Sequence, residues 1–364
     1  MNQPSIGFYV HYHGMGHKHR AECILQHLTL PATVVTSNLD RLSWNGPTLK
    51  GVVPIACDND DLNEVGLDRA GDSPGLHFAP LWSTNITERV AQYTAWLNTA
   101  QPDLVMIDVS AEIAMLTRLA SIPSVVMRQH GDRNDDAHQI AYHAAHSLLA
   151  PFPERMEDDI TPDWVRDKTV YLDGFCRHSE PTCETSMSFE SPTIAVMFGR
   201  GGTDLTVEHL CEAARSIPDH QWIVIGKDAP AAHPLPTNLQ FVGWIQDPVT
   251  YLTAADLVVT AAGHNSVMEV GHSGCRFIAV AQDRPFDEQT RKARILDREG
   301  LAVGVESWPS AEQWPTLVAR AKHLDPTQWQ SVFQNDGAVQ AANHLTEVAL
   351  WSRDQRVSGE RISL

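Results

Sequence analysis

The sequence predicts an α/β protein of two Rossmann-like domains, each a parallel sheet that helices cover on both faces. Short apolar runs alternate with segments of helical periodicity, which is the pattern of strand–helix–strand units. The alternation stops near residues 180–192, a stretch rich in Pro, Ser, Thr and Glu, and then begins again. The 364 residues also suffice for two domains. We therefore expect a first domain at 1–180, a linker at 181–192 and a second domain at 193–326, with a final helix near 327–352 that returns to the first domain.

The first domain begins with a predicted strand at 6–11, which a loop rich in glycine and histidine joins to a helix at 20–30. A helix at 87–99 follows a long loop at 58–80, whose content of Asp, Asn, Gly and Pro is typical of loops. The other predicted strands of this domain lie at 32–36, 52–56, 104–108, 124–127, 147–150 and 170–172.

The second domain repeats the alternation. Its predicted strands lie at 193–198, 222–225, 239–242, 257–260 and 277–280, and its helices at 205–216, 248–254, 266–273 and 287–298. A long final helix is predicted at 328–351. Ligands of open parallel sheets bind beyond the carboxyl ends of the strands, so the residues that follow strands are the informative ones.

Composition excludes several classes of protein. With 43% hydrophobic and 20% charged residues the chain is globular rather than disordered, and a formal net charge of −18 disfavours a nucleic-acid partner, which needs a basic face. Six scattered cysteines predict a reducing, cytoplasmic location. No apolar run reaches the length of a membrane span. The basic residues Arg353, Arg356 and Arg361 leave open a peripheral contact with the inner face of a membrane.

The first post-strand loop carries the pattern G-x-G-H-x-x-R, from Gly14 to Arg20. The third glycine of a dinucleotide fingerprint is missing, which disfavours NAD or FAD. His17 falls where a helix is expected to begin, and the helix dipole favours a neutral imidazole there. A neutral histidine at that place can take a proton from a hydroxyl, so we predict that His17 is a catalytic base. The plain alternative is a surface histidine that caps a turn.

Two other patterns compete with this interpretation. His11, His13 and His17 form a cluster that a divalent ion could use, although the loop lacks the carboxylate that metal hydrolases usually add. A metal-dependent hydrolase therefore stays an alternative, while the main reading predicts no metal and no cofactor. Residues 71–75 match the serine-nucleophile pattern G-x-S-x-G, but Pro74 has no N–H for an oxyanion and no predicted strand leads into the segment. We exclude a serine nucleophile there.

The segment at 256–298 is the richest in polar post-strand residues. A predicted strand runs into Gly263, His264, Asn265 and Ser266, with Asn265 or Ser266 expected as the N-cap of a helix whose N–H groups form an anion site. Glu269 lies one turn further, where it can bond a sugar diol. A polar stretch at 282–289 follows the next strand and suits a second sugar. The loop at 199–203 offers further N–H groups. This order of contacts describes a nucleotide-diphosphate sugar.

This segment resembles the donor-binding C-terminal half of the GT-B glycosyltransferases, and is most similar to the family of the transferase that adds N-acetylglucosamine to the lipid-linked peptidoglycan precursor. The resemblance covers 193–303 and implies the GT-B fold. It implies that His17 is the essential loop histidine and that the donor is bound by Gly16, Arg200, Gly201, Gly202, Thr203, Trp244, Ile245, Gly263, His264, Asn265, Ser266, Glu269, Asp287 and Gln289. In that set Trp244 and Ile245 hold the base, Glu269 the ribose, and Asp287 and Gln289 the donor sugar. Arg200 departs from the small or polar residue common in the family.

The implied reaction is an inverting, metal-independent transfer of a sugar from a nucleotide sugar, UDP-linked by resemblance, to a hydroxyl of a lipid-linked, glycan or small-molecule acceptor. Asp108, Arg128 and His130 follow first-domain strands and are the predicted acceptor contacts. Three alternatives stay open: a nucleotide-sugar hydrolase of the same fold, the metal-dependent hydrolase, and a nucleotide-sugar-binding protein without catalysis.

Overall fold

The structure, a computed structural model, describes residues 3–177, 187–198, 205–230, 234–245 and 248–358. These residues form one sheet of seven strands and one of six, and every strand pair in both sheets is parallel. The predicted α/β class with two parallel sheets is therefore confirmed. We call the first sheet with its helices the first lobe and the second sheet with its helices the second lobe.

The first lobe spans the chain up to Tyr171. Its strands are β1 (Ile6–Val10), β2 (Ala32–Thr36), β3 (Leu49–Pro54), β4 (Leu104–Asp108), β5 (Ser124–Met127), β6 (Ser147–Ala150) and β7 (Thr169–Tyr171). Its helices are α1 (Met15–His27), α2 (Glu64–Leu67), α3 (Thr84–Ala100), α4 (Ala111–Leu119), α5 (Asp136–Ala144) and α6 (Asp163–Asp167). The strand order is β3-β2-β1-β4-β5-β6-β7. All residues of β1 and β4 are buried, as expected for central strands that helices cover on both faces.

The second lobe repeats this plan. Its strands are β8 (Thr193–Met197), β9 (Gln221–Ile225), β10 (Leu239–Phe241), β11 (Leu257–Ala261), β12 (Phe277–Val280) and β13 (Val303–Val305). Its helices are α7 (Val207–Ser216), α8 (Val249–Ala254), α9 (His264–His272), α10 (Glu288–Arg298) and α11 (Trp314–Lys322). The strand order is β10-β9-β8-β11-β12-β13.

The strand order reverses once in each sheet, between β1 and β4 in the first and between β8 and β11 in the second. Loops on the two sides of such a reversal run in opposite directions and leave a crevice at the carboxyl ends of the strands. The loop after β1 enters α1, β4 ends at Asp108, and the loop after β11 enters α9. The topology therefore places His17 and Asp108 at the reversal of the first sheet and the start of α9 at the reversal of the second. The two reversals face each other, since Gly16 lies against Asn265, and we call the space between them the crevice.

A last helix, α12 (Gly337–Ser358), returns to the first lobe and packs against α1 and β4. Near its end, Arg353 and Arg356 form ion pairs with the buried Asp103, with N–O distances of 2.7 and 3.7 Å. Two of the three arginines that suggested a membrane contact thus hold the helix on its lobe, and Arg361 lies outside the described residues. No helix within the described part of the chain is both long and apolar enough to span a bilayer.

Several elements differ from the prediction. Helix α1 begins at Met15 rather than at residue 20, and α12 begins at Gly337 rather than at 328 because Pro326–Ser331 forms a 3-10 helix. The predicted loop at 58–80 contains the short helix α2. The helices α4, α5, α6 and α11 and the short strand β13 were not predicted. Of the predicted linker, residues 181–186 lie outside the described part of the chain.

Candidate functional site

His17 lies in the first turn of α1, directly after β1. Gly14 is the N-cap and has a φ of +85°, a left-handed conformation that turns the chain sharply into the helix and that glycine adopts without strain. No side chain of the described residues caps this end, so the first N–H groups of α1 face the crevice. The side chain of His17 is 17% exposed, which leaves it accessible from the crevice.

His17, Asp108 and Arg20 form a hydrogen-bonded cluster. Nδ1 of His17 lies 2.8 Å from Oδ2 of Asp108, and Nη2 of Arg20 donates to the other carboxylate oxygen at 2.5 Å. Burial opposes the charge of Asp108, but Arg20 and His17 outweigh it and hold the pKa of Asp108 well below its usual value. The ionised carboxylate favours a proton on Nδ1 of His17 and leaves Nε2 to accept a substrate proton. This is the arrangement of a general base that a carboxylate orients.

The three predicted acceptor contacts are buried and have partners within the protein. Asp108 is 1% exposed and lies behind His17. Arg128 pairs with Glu157, and Nε2 of His130 lies 2.8 Å from the carbonyl oxygen of Met156. The ends of β4 and β5 thus carry these side chains into the protein interior, and the structure gives them structural partners where the sequence predicted contacts to an acceptor.

The histidines of the first loop do not converge on a common point. Nε2 of His13 lies 3.0 Å from the Asn59 amide, and the rings of His11 and His17 are 5.5 Å apart. Burial lowers the pKa of His11 to about 4, with His17 and His13 adding to the effect. The His11 ring also lies 4.9 Å from the His13 ring, but these three histidines are not a group of the described residues whose ligand atoms all lie close to one another.

In the described residues, the group of three metal-ligand side chains with mutually close atoms is His77, Asp135 and His138. Asp135 caps α5 by accepting from the backbone N–H of His138, and its two oxygens contact Nε2 of His77 at 2.8 Å and Nδ1 of His138 at 2.5 Å. The Arg133 guanidinium lies 3.0 Å from the other ring nitrogen of His138. A fixed positive charge at that position opposes a bound cation, so we interpret the group as a hydrogen-bond network.

The second lobe places the start of α9 across the crevice from α1. Gly263 is the N-cap and no described side chain caps the helix, which corrects the prediction of Asn265 or Ser266: β11 runs so directly into α9 that both residues already lie in its first turn. The N–H groups of His264, Asn265 and Ser266 therefore have no carbonyl within the helix to bond, and with the helix dipole they make the start of α9 a candidate anion site. A Cβ on Gly16 would come within 2.7 Å of Nδ2 of Asn265, so the two lobes meet at this point.

Of the two predicted donor-sugar residues, Gln289 lies beside this anion site. A Cβ on Gly263 would lie 3.4 Å from Nε2 of Gln289, whose Oε1 accepts from the backbone N–H of Gln282 at 3.1 Å. Gln289 is buried, whereas Asp287 is exposed at the turn into α10. The structure thus brings the Gln289 amide to the start of α9 and leaves Asp287 at its edge.

Lys292 is a site residue that the sequence analysis missed. It is 1% exposed, and its Nζ lies 2.9 Å from Nδ1 of His264 at the start of α9. Burial, with a contribution from Arg20 and against the opposing charge of Glu288, lowers the pKa of Lys292 to about 7. Lys292 adds positive charge to the anion site when protonated. The signal that could have found it is its spacing of three residues from Gln289, which puts both on one face of α10.

Glu269 lies in the middle of α9, and Arg177 forms a bidentate ion pair with it. The distances are 2.5 Å from Nε and 3.3 Å from Nη2 of Arg177 to the two carboxylate oxygens. Glu269 is buried while the Arg177 side chain is partly exposed, so Arg177 supplies the counterion that the buried carboxylate needs. A ribose diol at Glu269 would have to replace or share the bonds of Arg177, a residue that the sequence analysis did not single out.

The predicted base-binding residues follow β10. Trp244 is 64% exposed and presents a flat aromatic surface, while Ile245 is half-buried against the core of the second lobe. The predicted phosphate loop lies outside the described residues; it comprises Arg200, Gly201, Gly202 and Thr203.

Comparisons with known proteins concern the fold and the class of protein. Residues 223–313 match the sequence profile described as Glycosyltransferase family 28 C-terminal domain. The chain is 28% identical over 129 residues to an uncharacterized glycosyltransferase of Methanosarcina mazei, a match that covers 34% of this chain and 33% of that protein. The chain therefore spans about a third of the length of that curated relative.

Solved structures share the fold over nearly the whole chain. MurG of Acinetobacter baumannii superimposes with a TM-score of 0.64 at 14% identity, covering 95% of this chain and 100% of MurG. The rhamnosyltransferase SpnG, solved in complex with thymidine diphosphate, gives a TM-score of 0.61 at 14% identity and covers 98% of this chain and 100% of SpnG. The two lobes thus have the GT-B architecture, and the family 28 match over residues 223–313 agrees with the expected resemblance of the second lobe to glycosyltransferases.

Proposed function

We propose that this protein is a glycosyltransferase that moves a sugar from a nucleotide-diphosphate sugar to an acceptor hydroxyl. One observation carries the proposal: the His17–Asp108 pair of the first lobe faces the uncapped start of α9 in the second lobe, where Gly16 meets Asn265. A base and an anion site on opposite walls of one crevice suit a reaction in which a hydroxyl loses a proton while a diphosphate leaves. The family 28 match of the second lobe supports the same reaction class.

The proposed mechanism is a single displacement. Nε2 of His17 takes the proton of the acceptor hydroxyl while the hydroxyl oxygen attacks the anomeric carbon of the donor sugar. Asp108 holds the ring by Nδ1 and stabilises the imidazolium that forms. The bond between the anomeric carbon and the diphosphate oxygen breaks on the opposite face, so the anomeric configuration is inverted.

The second lobe stabilises the leaving group in this proposal. Negative charge grows on the diphosphate as the bond breaks, and the N–H groups at the start of α9 are already aimed at it. Lys292 adds a positive charge beside His264. Together these groups supply the charge stabilisation for which other transferases use a metal ion, so we propose a metal-independent reaction. Closure of the lobes excludes water, which would otherwise compete with the acceptor.

We propose a UDP-linked donor on the sequence resemblance to the family of the transferase that adds N-acetylglucosamine to the lipid-linked peptidoglycan precursor, with Trp244 stacking on the base and Asp287 and Gln289 contacting the sugar. SpnG was solved with thymidine diphosphate, which makes a thymidine nucleotide the alternative to test. Calorimetric titration of UDP-, dTDP- and GDP-sugars into the wild-type protein decides between them. We expect micromolar affinity for one base, and no binding of any nucleotide sugar at millimolar concentration would overturn the proposal.

A turnover assay separates transfer from its alternatives. Release of nucleoside diphosphate is measured with and without a panel of lipid-linked, glycan and small-molecule acceptors, and we expect a large increase with one of them. Equal rates without acceptor would identify a nucleotide-sugar hydrolase. Binding without turnover, unchanged in His17→Ala, would identify a binding protein. Activity that EDTA abolishes, together with one tightly bound divalent ion per chain, would favour the metal-dependent hydrolase.

A further inference from the structure

A path of hydrogen bonds leads from His17 across the crevice to α10. Beyond Asp108, the guanidinium of Arg20 donates to the amide oxygen of Gln129 from Nη2 at 2.8 Å and from Nη1 at 3.1 Å, in the amide orientation that gives both ends of Gln129 a partner. The amide nitrogen of Gln129 then donates to the Glu288 carboxylate at 2.9 Å. We call His17, Asp108, Arg20, Gln129 and Glu288 the interlobe path. Its first four residues belong to the first lobe and Glu288 opens α10 in the second.

Arg20 is the junction of this path. Its side chain is 3% exposed, and its Nε has no hydrogen-bond partner among the described residues. Its Nη2 lies near three atoms: an oxygen of Asp108 at 2.5 Å, the oxygen of Gln129 at 2.8 Å and Nδ1 of His17 at 3.1 Å. A buried guanidinium that loses one acceptor turns toward those that remain, because a buried N–H group without an acceptor is costly.

Without Gln129, Nη2 of Arg20 keeps two neighbours, Oδ1 of Asp108 and Nδ1 of His17, and a bond to the second is wrong for a base. If Nη2 of Arg20 donates to Nδ1 of His17, that nitrogen must be unprotonated, and the neutral imidazole then carries its proton on Nε2. An Nε2–H group cannot accept the proton of a hydroxyl. By taking Nη2 of Arg20, Gln129 therefore leaves Nδ1 of His17 to donate to Asp108. The titratable or charged groups that face His17 are Asp108, Arg20 and His11.

A tight backbone contact joins the second lobe to the loop after β5, which carries Gln129. The backbone N–H of Asp132 donates to the carbonyl oxygen of Phe286 at 2.6 Å, and a Cβ on Gly131 would come within 2.7 Å of the same oxygen. Arg133 lies 3.3 Å from Glu288 and also stacks on the Phe286 ring, with its guanidinium carbon 5.1 Å from the ring centre. Separation of the lobes breaks these contacts and the Gln129–Glu288 bond together.

The same segment of the second lobe carries the proposed donor-sugar residues. Phe286 and Asp287 both have left-handed backbones, with φ of +62° and +53°, a conformation that is strained for residues with a Cβ. The Phe286 ring packs edge-on against His138 of the first lobe at 4.7 Å. Contact with the first lobe thus offsets the strain in the turn that presents Asp287 and Gln289.

We propose that Gln129 and Glu288 are positioning residues that couple the docking of the turn at 286–289 to the tautomer of His17. This inference rests on the proposed function, because it concerns activation of the proposed base. With the lobes together, Glu288 orients the Gln129 amide, Gln129 holds Arg20, and His17 keeps its proton on Nδ1. With the lobes apart, Arg20 turns to His17 and the ring is not a base. The open protein therefore does not activate water against the donor.

The first test is the tautomer itself. Nitrogen-15 NMR of histidine-labelled protein distinguishes Nδ1–H from Nε2–H, with His17 identified from the spectrum of His17→Ala. We expect Nδ1–H in the wild type and Nε2–H in Gln129→Leu. Gln129→Glu keeps an oxygen toward Arg20 and should keep the wild-type tautomer. Gln355→Leu, a glutamine change at an exposed position of α12 in the first lobe, is the matched control and should also give the wild-type spectrum.

The second test is kinetic and uses the donor found by titration. Gln129→Leu should lower kcat at least 10-fold while donor Kd changes less than 2-fold. The acid limb of the profile of kcat against pH should move to lower pH, because Arg20 then opposes protonation of His17. Glu288→Ala, at a more exposed position, should change kcat and the pH profile in the same direction but by less. It replaces Gln129→Leu in this test if that variant does not fold. A wild-type tautomer in both Gln129→Leu and Glu288→Ala, or equal changes in Gln355→Leu, would overturn the inference. Absence of turnover in the wild type would refute the proposed function and leave the tautomer test valid.

Discussion

Replacing Lys292 by methionine should make the protein more stable at pH 7. Lys292 is 1% exposed and burial lowers its pKa from the usual 10.5 to about 7. At about 1.4 kcal/mol per pH unit, holding this amine in the interior costs the folded state about 5 kcal/mol at pH 7. Methionine fills a similar volume without the charge, but loses the bond to Nδ1 of His264, which is worth about 1 kcal/mol. We expect the free energy of unfolding to rise by about 2–4 kcal/mol.

The gain in the free energy of unfolding of Lys292→Met should fall as pH rises. Between about 7 and 10.5 the lysine holds its proton in the unfolded chain and loses it in the folded one, so the unfolded state binds more protons and the stability of the wild type rises with pH. The Lys292→Met variant lacks this rise, and its advantage should shrink steadily and vanish near pH 10.5.

Urea denaturation followed by tryptophan fluorescence at pH 7 and pH 9.5 measures both quantities. Lys50→Met, a change at an exposed lysine of β3, is the control and should show no such pH dependence. The same Lys292→Met variant should bind the free nucleoside diphosphate at least 10-fold more weakly, which is the scale of a lost hydrogen bond to a charged group. A variant that is less stable than the wild type at pH 7, or equally more stable at both pH values, would refute the reasoning.

Three further predictions concern the two walls of the crevice. His17→Ala should lower kcat roughly 100-fold or more with donor Kd little changed, as steady-state kinetics and calorimetry would show, and an unaltered rate would exclude the base. Asp108→Asn should lower kcat by a similar factor. It should also destabilise the fold by about 3–5 kcal/mol, because buried Arg20 loses its counterion. In the wild type, the contribution of this carboxylate to the free energy of unfolding should be lost as pH falls below about 4, since its pKa is held well below the usual value. Glu269→Ala should weaken donor binding by roughly 1–3 kcal/mol, and equal affinity in the titration would contradict a ribose contact.

Local patterns in the sequence were sufficient for the fold class. Hydrophobic periodicity acts over a few residues and is visible in any window, so the buried strands β4, β5, β6 and β12 have the predicted bounds. Because parallel strands present their carboxyl ends at one edge, the same patterns also indicated that His17 and Gly263 follow strands at a ligand-binding edge. The helices α4 and α5 were missed although their buried residues recur at helical spacing, because each has only nine residues, fewer than the window of about 11–18 residues over which this period is clear.

Only the tertiary structure decided which side chains work together. Asp108 lies 91 residues from His17, and Lys292 lies 28 residues from His264, so no local spacing could pair them. Their contacts follow from how the strands are ordered and how the lobes meet, which depends on the packing of whole elements. The sequence by itself determined two parallel sheets and the loops that face a ligand. The partners of the base, the buried lysine and the link between Gln129 and Glu288 were decided by long-range packing, because hydrogen bonds and burial depend on distance in space rather than along the chain.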